Sequence, residues 1–191
     1  DVLFQQRLFK TARLYPGALD GVWGPLTDRA AGAFAMAGED LACRFGRFDA
    51  RSERQIATLQ IAAQRSARVF LARTRATGLD ARVISATRSY GEQNHLFRRG
   101  RYGRPGPKVT NARGGQSNHN FAIAWDIGLF EGGAYLTGTA AYERAARAGL
   151  IDELEWGGTW RTFRDTPHYQ LANGLSIPAT RALFEAGEPY F

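Results

Sequence analysis

The sequence from residue 117 to residue 126 reads SNHNFAIAWD and places a histidine and an aspartate at the ends of a run of small and apolar residues. On a straight strand, the seven residues from His119 to Asp126 would span about 23 Å, too far for both side chains to bind one ion. On a helix the two side chains would tilt in parallel instead of converging. We therefore predict His119 in a turn and Asp126 on the strand that follows. Ala122 and Ala124 would share the strand face of Asp126 and leave room beside it.

Histidine is scarce in this chain, which narrows the candidates for a metal site. The three histidines stand at positions 95, 119 and 168. Catalytic zinc is typically held by three imidazole or carboxylate ligands and keeps a fourth position for water. His119, Asp126 and His168 would supply such a set. His95 lies among polar residues of a predicted helix and is left unassigned.

A second motif, Asp165-Thr166-Pro167-His168, ties a carboxylate to the third candidate ligand. Pro167 disfavours a helix interior here and gives a rigid approach to the strand expected at His168. Asp165 would thus lie near the ion without being a ligand, where it could take a proton from water and pass it to the leaving amine. Glu155 is a rival for this role, because it lies ten residues earlier beside a tight Trp-Gly-Gly turn.

The segments around these motifs mix helices with short strands. Ser52 and Gln55 have the spacing of a capping box and predict the start of a long amphipathic helix. Ser89 and Glu92 repeat that spacing before a second helix. We predict strands at 82–88, 121–130 and 168–171, and further helices at 139–149 and after Ser176. This order is typical of the α+β class, with a small antiparallel sheet flanked by helices.

The first 45 residues have a different pattern. An amphipathic stretch at 2–14 precedes the glycine-rich run YPGALDGVWG at 15–24, and Pro25 opens a second helix. Glycines allow a tight turn and the close approach of a ligand. We predict a small all-α module at 1–45 and a larger α+β domain at 46–191.

Composition excludes some classes of protein and leaves others open. Of the 191 residues, 44% are hydrophobic and 23% charged, as in globular proteins. No apolar run approaches the ~20 residues that span a bilayer. The excess charge of +7 lies after residue 45, and between Arg82 and Arg113 eight basic residues face one acid. Such a field attracts any polyanion and does not by itself select nucleic acid, lipid or wall polymer. Cys43, the only cysteine, is expected to be a buried thiol.

The two motifs resemble those of zinc peptidases that act on bacterial cell wall. Residues 117–126 are similar to SxHxxGxAxD, and residues 165–168 to DxxH, in the family of D-alanyl-D-alanine carboxypeptidases and phage L-alanyl-D-glutamate endopeptidases. The segments SATRSY at 85–90, with Gln93, and KVTNARGGQ at 108–116 are similar to the endopeptidase branch. The resemblance covers about residues 52–171. Ala122 replaces the motif's glycine, which would matter if that position needs a positive φ.

The resemblance implies a role for each matching side chain. The ligands of Zn2+ would be His119, Asp126 and His168. The catalytic residues would be Asp165, as the general base, and Arg88, which would hold the developing oxyanion. The residues that contact the substrate would include Ser117 and Gln93.

The glycine-rich turn near the N-terminus is similar to the small peptidoglycan-binding domain of many wall hydrolases. The matching residues are Gly17, Asp20, Gly21, Gly24, Pro25 and Thr27. The residues expected to contact the wall are Asp20, Gly21 and Trp23.

Three functions are compatible with these observations. The first is an endopeptidase that cuts the L-alanine to D-glutamate bond of peptidoglycan, in the periplasm or outside the cell, as phage endolysins do. A D,D-carboxypeptidase would apply the same zinc chemistry to the terminal D-alanine. The third is a module that only binds wall or nucleic acid. The intact ligand set favours an enzyme over such a module, and only the positive charge supports binding to nucleic acid.

Overall fold

The computed structural model describes all residues from 1 to 191 and contains seven α-helices and five strands. The helices are α1 (Val2–Thr11), α2 (Pro25–Phe45), α3 (Ala50–Ile56), α4 (Ile61–Ala76), α5 (Tyr90–Arg98), α6 (Thr139–Gly149) and α7 (Ile177–Ala186). The strands are β1 (Asp80–Ser85), β2 (Ala124–Glu131), β3 (Ala134–Leu136), β4 (Leu154–Trp156) and β5 (His168–Leu171). This architecture confirms the predicted α+β class. No helix has both the length and the apolar character needed to cross a membrane.

The antiparallel sheet lies in a compact unit formed by residues 35–86 and 123–173. Its strand order is β1-β2-β5-β4, with β3 paired to β2 through a tight turn at two glycines of positive φ. Trp125 and Tyr169 are Cα partners on β2 and β5, and both are fully buried. Phe70 of α4 packs on Tyr169 with ring centroids 4.3 Å apart. Because side chains alternate along a strand, Asp126 and His168 lie on the opposite face.

A second compact unit comprises residues 1–34, 87–122 and 174–191. Within it, the ring of Phe184 on α7 packs against Phe4 on α1 at 5.2 Å and against Phe121 at 5.7 Å. The Tyr190 hydroxyl donates to the Phe121 carbonyl at 2.5 Å. These buried aromatic contacts anchor the end of the turn that carries His119.

A buried glutamine organises the glycine-rich turn between α1 and α2. The Gln6 amide donates to the Asp20 carboxylate at 2.8 Å and to the Val22 carbonyl at 3.0 Å, while its oxygen accepts from the Gly21 N–H at 2.8 Å. The helix, turn and helix expected here are therefore present. The assignment of residues 1–45 as a separate module, apart from a domain at 46–191, stays a prediction.

Three local predictions were wrong. The single helix expected from Ser52 is two helices, because the Gln55 carbonyl accepts from the Thr58 N–H and hydroxyl and the helical ladder stops there. Asp49, rather than Ser52, caps α3 and accepts from the Ser52 N–H at 3.0 Å. Cys43 is exposed, not buried, because it lies on the outward side of α2. The capping box at Ser89 and Glu92 is confirmed.

Candidate metal centre

Asp126 and His168 meet because the sheet pairs them directly. They are Cα partners in the ladder between β2 and β5, and such partners place their side chains side by side on one face. The His168 Nδ1 lies 3.2 Å from the Asp126 Oδ1. His168 is buried and Asp126 is partly buried, so both are shielded from bulk water. The strand pairing thus brings together two groups that are 42 residues apart in the sequence.

The surroundings of His168 favour a positive charge between its ring and Asp126. Burial lowers the pKa of His168, but the hydrogen bond and negative charge of Asp126 outweigh it and raise the pKa above its ordinary value. A bare ring nitrogen and a carboxylate oxygen both act as acceptors and would repel each other at this distance. The position between them therefore suits a proton or a metal cation.

His119 lies in the 3₁₀ turn Asn118–Phe121 and is 2% exposed. The Asn120 side chain holds this turn, because its oxygen accepts from the Gly115 N–H at 2.9 Å and its amide donates to the Arg88 carbonyl at 2.9 Å. The prediction of His119 in a turn and Asp126 on the following strand is confirmed. Ala122, however, precedes β2 in a left-handed conformation and does not share the strand face of Asp126.

The side chains of His119, Asp126 and His168 offer ligand atoms that all lie within 4.8 Å of one another. Two atoms bound to one zinc in a tetrahedral site are about 3.3 Å apart, so the widest pair would close by no more than about 1.5 Å when the ion binds. The 3.2 Å between His168 and Asp126 already matches a tetrahedral edge of about 3.3 Å. Two imidazoles and a carboxylate are donors typical of catalytic zinc. These residues therefore fit a zinc ion.

Arg88 is in direct contact with His119. The Arg88 Nη2 lies 3.1 Å from the His119 Nε2, and the Arg88 backbone N–H donates to the His119 carbonyl at 3.0 Å. A guanidinium can only donate, so Nε2 acts as the acceptor in this arrangement. A metal cation bound at the His119 Nε2 would displace the guanidinium of Arg88. A cation bound at Nδ1 would leave the ring hydrogen on Nε2, where two donors would face each other. We therefore expect this contact to open when a metal binds.

Gln93 and Ser117, expected to contact substrate, have different surroundings. Gln93 is completely buried; its oxygen accepts from the Arg88 Nη1 at 3.2 Å and its amide donates to the Ala112 carbonyl at 3.0 Å. These contacts support a role in orienting Arg88. Ser117 is partly exposed, and its carbonyl accepts from the Asn120 N–H at 2.9 Å. Direct contact of Gln93 or Ser117 with substrate stays a prediction.

Asp165 begins a tight turn that ends at His168. Its N–H donates to the Gly157 carbonyl at 3.0 Å, and its carbonyl accepts from the His168 N–H at 3.3 Å. A Cβ added to Gly157 would lie 2.5 Å from the Asp165 carbonyl oxygen, so this close approach requires glycine. The charge of Asp165 also contributes to raising the pKa of His168. The carboxylate is therefore electrostatically coupled to a candidate ligand, and its role as the general base stays a prediction.

The sequence reasoning missed Gln170 at this site and placed Trp160 only as core or cleft wall. The Gln170 Oε1 lies 3.0 Å from the His168 Nε2, and the Trp160 ring packs on the His168 ring at 4.9 Å between centroids. Gln170 is two positions after His168 on β5, so strand alternation alone would have placed it on the same face. Trp160 comes from a loop, and no local pattern indicates its contact.

The residues expected to bind wall lie in the turn between α1 and α2. Asp20 accepts from the Val22 N–H at 2.9 Å, and Gly21 has a φ of 71°, so both maintain the turn itself. Trp23 is 45% exposed, which leaves much of its ring open to a ligand. Contact of Asp20, Gly21 and Trp23 with wall stays a prediction.

Replacing Ala122 by glycine is expected to change the free energy of unfolding by less than about 1 kcal/mol. The left-handed φ of 58° costs a residue with a Cβ about 1–2 kcal/mol, which glycine would relieve. Two effects of glycine destabilise the folded protein. The loss of a buried methyl costs about 0.8 kcal/mol, and the greater freedom of the unfolded chain costs about 0.4–1 kcal/mol. Because these terms offset, the thermal midpoint should move by less than about 4 °C. A larger fall would mean that methyl packing outweighs backbone strain.

Residues 110–171 match the family described as D-alanyl-D-alanine carboxypeptidase. Over 105 residues the chain is 33% identical to the peptidoglycan L-alanyl-D-glutamate endopeptidase CwlK of Bacillus subtilis. The matched region covers 49% of this chain and 62% of that protein. The chain thus spans less than two thirds of that relative's length. The crystal structure of the L-Ala D-Glu endopeptidase ChiX of Serratia marcescens is 29% identical, with a TM-score of 0.49, over 66% of this chain and 90% of that chain.

Proposed function

We propose that this chain, whose residues 110–171 match the D-alanyl-D-alanine carboxypeptidase family, is a zinc peptidase that hydrolyses the bond between L-alanine and D-glutamate in peptidoglycan. The observation that carries the proposal is the convergence of His119, Asp126 and His168 within 4.8 Å. The name of the Bacillus subtilis relative supports this choice of bond. The proposed ligands of Zn2+ are those three side chains.

Asp165 is the proposed general base. When bound, zinc would supply a Lewis acid that polarises the scissile carbonyl and makes water more acidic. Asp165 would take the proton from the attacking water and later deliver it to the leaving amine, which typically contributes 10²–10⁴-fold to the rate. The short turn from Asp165 to His168 fixes the distance between base and ligand. Glu155 has a different surrounding, because it accepts a hydrogen bond from Gln170 at 2.7 Å.

Arg88 is the proposed anchor of the substrate carbonyl. Its guanidinium lies against the His119 ring at 3.1 Å and is held from the other side by Gln93. A fixed positive charge beside the reacting carbonyl stabilises the oxyanion that develops there. The opening of the contact between Arg88 and His119 would free a donor for this purpose. Ser117, on the same loop as His119, would orient the peptide.

The segment 1–45 is the proposed wall-binding module. Its turn presents Trp23 next to Val22, whose side chain is 64% exposed. Adjacent exposed apolar side chains are suited to stacking on sugar or peptide surfaces. The place of action is the bacterial cell wall, in the periplasm or outside the cell. An endolysin-like, bacteriolytic role, phage origin included, is part of the proposal, and nucleic acid is not a proposed partner.

A D,D-carboxypeptidase is the second candidate function. The matching family carries that description, and the same ligand set would serve the hydrolysis of a terminal D-alanine. The two activities differ in the products that they release. Cleavage by the endopeptidase exposes new glutamate amines, whereas the carboxypeptidase releases free D-alanine.

Removal of the metal is expected to abolish wall hydrolysis reversibly. The isolated protein should contain about one zinc per chain, since one three-ligand site is available. A chelator should stop the clearing of purified wall, and added zinc should restore it. Labelling of new amino termini should identify glutamate. Metal-free protein that still clears wall would refute the zinc peptidase, and free D-alanine without new glutamate amines would favour the carboxypeptidase.

A further inference from the structure

His168, Gln170 and Glu155 form a hydrogen-bonded row across two strands. The His168 Nε2 lies 3.0 Å from the Gln170 Oε1, and the Gln170 Nε2 donates to the Glu155 Oε2 at 2.7 Å. The sheet explains the row, because Gln170 shares a face of β5 with His168 and is the Cα partner of Glu155 on β4. The row therefore runs from the exposed edge strand to a buried candidate ligand.

The chemistry of the three groups fixes the direction of each hydrogen bond. An ionised carboxylate only accepts, so Glu155 selects the amide nitrogen of Gln170 as its partner. The amide oxygen of Gln170 must then face His168. Because that oxygen only accepts, the His168 Nε2 carries a hydrogen. The lone pair of a neutral ring is consequently left on Nδ1, which is the atom 3.2 Å from Asp126.

We infer that Gln170 and Glu155 are positioning residues that hold His168 in the tautomer and orientation needed to bind zinc through Nδ1. This inference rests on the proposed function, since it concerns the same metal site. Hydrogen bonds to the second nitrogen of a histidine ligand commonly fix its ring, and their loss typically weakens metal binding about 10–100-fold. In this arrangement Glu155 acts through Gln170, and Asp165 stays the proposed general base.

The expected sizes of the effects differ along the row. Gln170 touches the ring itself, so its loss should have the full effect. Glu155 is exposed and contacts the ring only through Gln170, so the effect of its replacement on zinc affinity should be smaller. A glutamine at position 155 can donate as well as accept, so the side-chain amide of Gln170 could flip by 180°. The Gln170 oxygen would then no longer be fixed toward His168, and Nε2 would no longer be held as the protonated nitrogen.

The test measures the zinc affinity of the metal-free protein by competition with a chromophoric chelator. The variant Gln170→Leu removes the acceptor and should weaken zinc binding about 10–100-fold. The double variant Gln170→Glu with Glu155→Gln exchanges the two side chains, keeps an acceptor toward His168 and a donor toward position 170, and should not weaken zinc binding. Glu155→Gln should weaken it by less than about 10-fold. Glu131→Gln, the same chemical change at an exposed position of β2, is the matched control and should have no effect.

A second readout follows the ring of His168 by ¹⁵N NMR in the zinc-loaded protein. The wild type should show zinc on Nδ1 and hydrogen on Nε2, and Gln170→Leu should show a mixture of zinc on Nδ1 and zinc on Nε2. Either an unchanged zinc affinity or an unchanged mode of zinc binding at the His168 ring in Gln170→Leu would overturn the inference. Should Gln170→Leu not fold, the same NMR measurement is made on Glu155→Gln, which changes an exposed residue. An unchanged His168 ring in that variant would overturn the inference.

The outcomes separate this inference from the proposed function. Failure of the wild-type protein to bind zinc would refute the function. Zinc binding by the wild type with equal affinity in Gln170→Leu would refute only the positioning role. A weaker zinc affinity in Glu155→Gln together with an unchanged affinity in Glu131→Gln would support the inference.

Discussion

The His119→Ala variant is expected to lose both zinc and wall hydrolysis. His119 would supply one of three protein ligands, and the remaining Asp126 and His168 would hold the ion by two atoms only. Loss of a direct ligand should weaken zinc binding by more than the roughly 100-fold known for outer partners. Hydrolysis should fall by about 10³-fold or more, because the bound cation contributes several kcal/mol to transition-state stabilisation. Elemental analysis and release of soluble wall peptides measure the two effects.

The matched control is His95→Ala, which removes an exposed histidine from α5. It should retain both zinc and activity. His119 is buried, so the thermal midpoint and circular dichroism of His119→Ala must also be recorded to separate loss of metal from unfolding. A folded His119→Ala protein that keeps stoichiometric zinc would show that His119 is not a ligand.

Replacing Asp165 by asparagine should abolish most of the activity while leaving the metal in place. The amide is close to the carboxylate in shape but cannot take up the proton, so the rate should fall about 10²–10⁴-fold. The backbone bonds of Asp165 to Gly157 and His168 do not involve the altered group and should hold the turn. Zinc content should be close to that of the wild type, since Asp165 is not one of the three converging ligands.

Glu155→Gln is the control for this experiment, because it makes the same chemical change at the rival carboxylate. At saturating zinc it should keep most of the hydrolytic rate. Full activity in Asp165→Asn, or a greater loss in Glu155→Gln than in Asp165→Asn, would show that the base is misassigned. Measuring zinc in both variants ensures that any loss of rate is not a loss of metal.

Local features of the sequence predicted much of the architecture. The capping box at Ser89, the helix at 139–149 and the strand at 168–171 appear where they were expected. Each depends on residues close together in the chain, so the pattern contains the information. The break between α3 and α4 was missed because it depends on the two competing hydrogen bonds that the Thr58 N–H and hydroxyl donate to the Gln55 carbonyl. Strands β3 and β4 are only three residues long, too short to show a pattern.

The position of His119 in a turn followed from distance alone. A straight strand would have separated it too far from Asp126 to share an ion. The left-handed backbone at Ala122 was not predicted, since alanine rarely adopts it and only the departure from the motif's glycine indicated a special position. Burial of that residue and of Phe121 maintains the conformation.

The sequence by itself determined which side chains could form a site, because motifs and residue chemistry are local properties. It identified His119, Asp126 and His168 as donors and Asp165 as their neighbour. Only the tertiary structure decided how they meet, because strand register joins residues that are distant in the chain. That register pairs Asp126 with His168 and Gln170 with Glu155, and no pattern within either segment specifies it.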